Sequence, residues 1–113
     1  MNKIKQILPS LREKKRYIAF KIRSKENFSK KQIENAINMA VLNYIGQLGY
    51  AKAGIMFVDH NKNKGIIKVN NKEANNIRAS FLFVNEIENK KAFISSITTS
   101  GILNKARSAI KEE

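Results

Sequence analysis

An α+β fold of order β-α-β-β-α-β with one more helix at the C-terminus is what this sequence predicts, and three observations predict it. A long helical period over residues 33–48 follows a short alternating strand. Two strand-like runs then stand five residues apart, a hairpin spacing. A second helical stretch leads into a last β-branched run, and no repeat, linker or composition break divides residues 1–113, so one domain is expected.

The first strand is the end of the segment LPSLREKKRYIAFKIR, residues 8–23. Ile18, Phe20 and Ile22 alternate with Tyr17, Ala19 and Lys21, the period of a half-buried strand. Next comes a helix start, where Ser29 and Gln32 have the spacing of a capping box and Phe28 can staple onto Ile33. The apolar series Ile33, Ala36, Ile37, Ala40, Val41, Tyr44, Ile45, Leu48 continues for about four turns, and Gly49 is the expected stop. Residues 55–59 and 65–69 read as strands joined across the turn-rich 60–64. Asn70 or Asn71 can cap a second helix carrying Ala74, Ile77, Phe81 and Val84 on one side. Residues 85–90 read as a polar break, 92–99 as the fourth strand, and Ser100 as the cap of a helix over 102–111. Strand–helix–hairpin–helix–strand implies a split βαβ sandwich, ferredoxin-like or RRM-like, with both main helices on one sheet face.

Composition narrows the partners. The chain has 113 residues, 42% of them apolar, and no Cys, so its core rests on packing without disulfides or thiolate metal sites. The start MNKIKQIL breaks at Pro9, so no signal peptide is expected, and no run approaches the roughly 18 apolar residues of a membrane span. A soluble cytoplasmic protein is the expectation. The formal charge of +13 needs discounting, because 17 Lys, 14 Asn and 16 Ile suggest an AT-rich codon bias. Position is more telling. Residues 1–31 hold eleven Lys or Arg against two acids, and three of the five arginines fall within residues 8–23. A basic arm, residues 1–13, that runs into a core strand presents fixed charge to a polyanion, structured RNA above all.

Arg12, Lys14, Lys15 and Arg16 are therefore candidate phosphate contacts, a solvated basic turn being the plainer alternative. Lys21 and Arg23 lie on the strand face opposite Ile18, Phe20 and Ile22. The third strand, GIIKVN, lacks Phe or Tyr, so base stacking of the RNA-recognition-motif kind is not expected of the open sheet face. Met56, Val58 and Ile66 exceed what one helix layer needs, which points to a protein partner or to coverage by the C-terminal helix. Ser100 beside Gly101 can offer backbone amides to a phosphate or simply cap a helix. His60 sits in a predicted loop and is read as a surface residue. No catalytic or metal-ligating constellation appears in the sequence.

LPSLREKKRYIAFKI, the helix ending VLNYIGQLGYAKA, GIIKVNN, IRASF and TTSGILNKA together resemble the archaeal ribonuclease P protein component 2 family, in the same order along the chain. The basic LR-x-KKRY block entering IAF and the SG-x-x-x-KA close carry most of the resemblance. The family's third strand usually reads G-I-I-R-C; here Lys68 and Val69 stand instead, and Lys68 keeps the charge without the planar fork of Arg. Ser10 replaces a second Pro.

The resemblance implies a subunit that is not itself an enzyme, in a ribozyme whose RNA cleaves the 5′ leader of precursor tRNA with bound Mg²⁺. The protein itself would hold no cofactor. It implies ribonuclease P RNA and the TIM-barrel protein component 3 as partners, self-association within the complex, only indirect contact with precursor tRNA, and no membrane. It also adds Lys68, Lys105 and Arg107 to the RNA-binding candidates. Two alternatives remain open: a general structured-RNA or ribosomal-type protein, and an acylphosphatase-like enzyme. Against the latter, SKENFSK after the first strand contains no glycine for a phosphate cradle.

Overall fold

The computed structural model describes residues 14–112. Strand β1 (Lys15–Arg23) is followed by helix α1 (Lys30–Ala53) and by the hairpin β2 (Met56–Asn61) and β3 (Lys64–Asn70). A 3₁₀ turn (Asn71–Glu73) opens helix α2 (Ala74–Phe81). The short hairpin β4 (Glu86–Ile87) and β5 (Lys90–Lys91), strand β6 (Phe93–Ser100) and helix α3 (Leu103–Glu112) complete the chain. The main sheet has the order β2-β3-β1-β6 with antiparallel neighbours, the ferredoxin-like arrangement. The basic first strand is thus central, clamped by β3 and β6.

One face of the sheet forms the larger core. Ile18, Phe20 and Ile22 of β1 meet Ile33, Ile37 and Val41 of α1 and Ile77 and Phe81 of α2. The capping box forms as the sequence indicates: Gln32 N–H donates to Ser29 Oγ at 3.2 Å, and Ser29 N–H to Gln32 Oε1 at 3.0 Å. Helix α1 does not stop at Gly49. It kinks at Gly46 (φ 77°, ψ 176°) and ends at Gly54 in a left-handed conformation. The kink presses Gly49 against Ile45, where an added Cβ would lie 2.9 Å from the Ile45 side chain. Only glycine occupies the Gly46 region without strain, although a methyl there would meet nothing within 4 Å. Gly46→Ala is therefore expected to cost about 1–3 kcal/mol in urea unfolding through the backbone alone.

The other sheet face is covered by α3. Ala19, Ile66 and Ala106 are fully buried there, with Tyr17, Val58, Ile97, Leu103 and Ile110 around them. Two β-bulges assist: Val58 on β2 and Ile97 on β6 are the extra residues, and both pack into this layer. The surplus of apolar strand residues is thus answered within the chain. Ile66 in particular, expected as a partner contact, lies at 0% exposure beneath α3, while Met56 remains 55% exposed.

Residues 85–90, expected as a polar break, instead contain the β4–β5 turn. Glu88 and Asn89 both take positive φ, 52° and 65°, the combination of a type I′ hairpin. Ile87 is buried in the main core, so this hairpin is docked.

Candidate nucleic-acid interface

The basic side chains gather at the two ends of β1, which are roughly 26 Å apart for a nine-residue strand. Arg12 and the expected arm lie outside the described residues. At the N-terminal end Lys14 is exposed, and its carbonyl accepts the Asn71 N–H at 2.7 Å, which fixes the entry to β1. Lys15 is also exposed. Its Nζ stands 3.8 Å from where a Cβ on Gly54 would lie, at the C-terminus of α1, where the last carbonyls carry partial negative charge. A cation at that position is favoured by the helix dipole.

Arg16 is half-buried over Gly101; a Cβ on Gly101 would come within 2.8 Å of the guanidinium. This close approach makes neighbours of a basic block and an SG pair more than eighty residues apart. The register supports it, since Tyr17 faces Ser100 across the β1–β6 ladder. Ser100 Oγ accepts the Ile102 N–H at 3.0 Å, so its hydroxyl serves the entry to α3. Arg78, which sequence reasoning passed over, donates to Thr99 Oγ1 at 3.2 Å and also bonds Asn75. Helix α2 thus sets a guanidinium on Thr99, two residues before the Gly101 on which Arg16 lies. On the α3 side of the sheet Lys68 pairs with Tyr17 and Met56 in the ladders, and Lys105 is exposed on α3.

Arg107 does not join this group. Its Nε and terminal nitrogen donate to Asp59 at 2.7 and 3.3 Å, a bidentate pair tying α3 to β2. The hydrogen bond raises the guanidinium above its ordinary high value, so Arg107 stays charged at any working pH. Asp59, within reach of the α3 face, thus gives Arg107 a structural role that the sequence alone did not indicate.

At the C-terminal end of β1, Lys21 is half-buried and Arg23 is exposed, with Arg23 Nε donating to Ser95 Oγ at 2.9 Å. They are joined by Lys62 and Lys64 of the β2–β3 hairpin around one cleft, and by Lys25, Lys90 and Lys91 around a neighbouring one. Asn63 sets the hairpin in place: its carbonyl accepts Ile22 N–H at 2.6 Å, and its side chain bonds Phe28 N–H and the Glu26 carbonyl. These lysines escape a reading by charge runs because they come from segments some thirty residues apart.

Exposed apolar side chains concentrate on the helical side, not on the sheet. Met39, Tyr44 and Phe83 line a groove between α1 and the chain after α2, with the Tyr44 and Phe83 rings 5.4 Å apart. Among the described residues its only charged lining residue is Glu86. The basic clefts at the end of β1 and this groove share no lining residue. No helix among the described residues is long and apolar enough to cross a membrane.

A family model described as the Rpp14/Pop5 family matches residues 16–111. Ribonuclease P protein component 2 of Methanocaldococcus jannaschii is 36% identical over 104 residues, covering 92% of this chain and 78% of that protein. The Thermococcus gammatolerans protein of the same name is 36% identical over 107 residues, covering 93% and 89%. Among solved structures, a chain in the cryo-EM structure of yeast ribonuclease MRP superposes with a TM-score of 0.68 at 13% identity, over 89% of this chain and 88% of that one. That last likeness speaks for the fold. Together with the ordered motifs, the family match and the sequence relatives show that the chain belongs to the Rpp14/Pop5 family.

Proposed function

We propose that this chain is a protein subunit of ribonuclease P that has no activity of its own and binds the catalytic domain of the RNA. The RNA would cleave the 5′ leader from precursor tRNA using its own Mg²⁺. The observation that carries this reading is the central strand β1 with cations held at both ends: Lys14, Lys15 and Arg16 at one, Lys21 and Arg23 at the other. A rigid strand spaces these charges, so they fit the backbone of a folded RNA better than a flexible tail would. Family membership supports a ribonucleoprotein setting; the partners we infer are ribonuclease P RNA and the TIM-barrel protein component 3, in the cytoplasm. The proposed contacts are to phosphates, with Lys68 and Lys105 alongside the β1 groups.

Reconstitution tests it. Ribonuclease P RNA, this protein and protein component 3 are expected to cleave precursor tRNA at a low Mg²⁺ concentration where the RNA alone does not. The protein alone should cleave nothing. Cleavage by the RNA and component 3 that is unchanged when this chain is added would overturn the reading.

A further inference from the structure

We propose that the cleft formed by Arg23, Lys25, Lys90, Lys91 and the ring of Phe93 binds one unpaired nucleotide of an RNA, its base on the ring and its phosphate on the cations. The inference rests on the RNA-binding role proposed above and adds a ligand class that the third strand, lacking aromatics, did not suggest.

Phe93 is the first residue of the edge strand β6, pairs with Arg23 and is 44% exposed. A large ring left open at the start of an edge strand has no role in the core. Lys91 Nζ stands 5.8 Å from the ring centroid, near the outer limit of a cation–π contact, so it flanks the ring and can turn to a phosphate. Four cations line the cleft against one acid, Glu26, which is itself 3.7 Å from Lys90.

The walls are fixed before any ligand arrives. Ser24 Oγ donates to the Lys91 carbonyl at 2.6 Å, and Arg23 is held by Ser95. The cores of protein–protein contacts are depleted in Lys, so an exposed ring in a cleft lined by lysines suits a nucleotide better than a protein side chain. Ser24 also lines the adjoining cleft of Lys21, Lys62 and Lys64, so the positive path continues past the ring for neighbouring phosphates.

The test uses the full chain and a labelled oligouridine. Phe93→Ala is expected to weaken binding roughly tenfold, the order of one base stacked on an aromatic ring, with an unchanged salt slope. Lys91→Ala should lower that slope by about 0.7, one single-strand phosphate contact. The chain contains no Trp, so Phe93→Trp makes a clean reporter that should keep the affinity and show quenched emission on binding. Wild-type affinity for Phe93→Ala, or an indole emission unmoved at saturating oligouridine, overturns the proposal. So does a Phe93→Ala variant that keeps oligouridine affinity but loses protein component 3. If ribonuclease P RNA still binds in these cases, only the nucleotide site falls; if it does not, the subunit role falls too.

Discussion

Ile66→Lys is expected to lower the unfolding free energy by about 3–5 kcal/mol, the scale of a buried charge left without a partner. Ile66 is fully buried, and its neighbours in the α3 layer are Ala19, Ala106 and partly buried apolar side chains. None of these can accept a hydrogen bond from an ammonium except through the Tyr17 hydroxyl. The chain can escape the cost only by lifting α3 off the sheet, which forfeits the burial of Leu103, Ala106 and Ile110 and strains the Arg107–Asp59 tie. Met56→Lys is the matched control. Met56 is 55% exposed, and the same substitution there should stay within about 0.5 kcal/mol. Urea unfolding followed by circular dichroism separates the two, and an Ile66→Lys variant as stable as wild type would mean that α3 does not close this face.

The same α3 layer shows where sequence reading succeeds and where it stops. Order and type of the main elements follow from local periodicity, and local periodicity survives in the fold: Ser29 caps, Ile33 to Val41 bury, and Ile18, Phe20 and Ile22 line one face. What local pattern cannot give is which distant residue answers which. Ala19 looks like a gap on an open strand face until Ala106 is brought against it. Arg107 reads as one more basic residue until Asp59, 48 positions earlier, takes both ends of its guanidinium. Gly46 and Gly49 are equally plausible helix stops by type, and only the packing of Ile45 decides that the first is a kink and the second a close approach. The β4–β5 hairpin hides because its turn is Glu-Asn, not Asn-Gly, and because one buried residue, Ile87, holds it down.

Removing the charge at the N-terminal end of β1 should have the largest effect on RNA. Lys14→Ala, Lys15→Ala and Arg16→Ala combined are expected to flatten the dependence of log Kobs on log salt for ribonuclease P RNA by at most about three, near one per phosphate contact. A loss short of three would mean that Lys15, whose ammonium stands beside Gly54 at the C-terminus of α1, favours the helix end over a phosphate. Lys21→Ala with Arg23→Ala, at the far end of the strand, should act independently, since sites separated by more than about 10 Å usually add.

A change of charge alone does not tell position from net field, and Gly101 supplies the distinction. Gly101→Leu keeps every cation but fills the space in which the Arg16 guanidinium lies. If Arg16 contacts a phosphate from that seat, the slope falls by about one at unchanged net charge. If the slope is unmoved, Arg16 contributes only to the general field, and the joining of the KKRY block to the SG pair is a matter of packing.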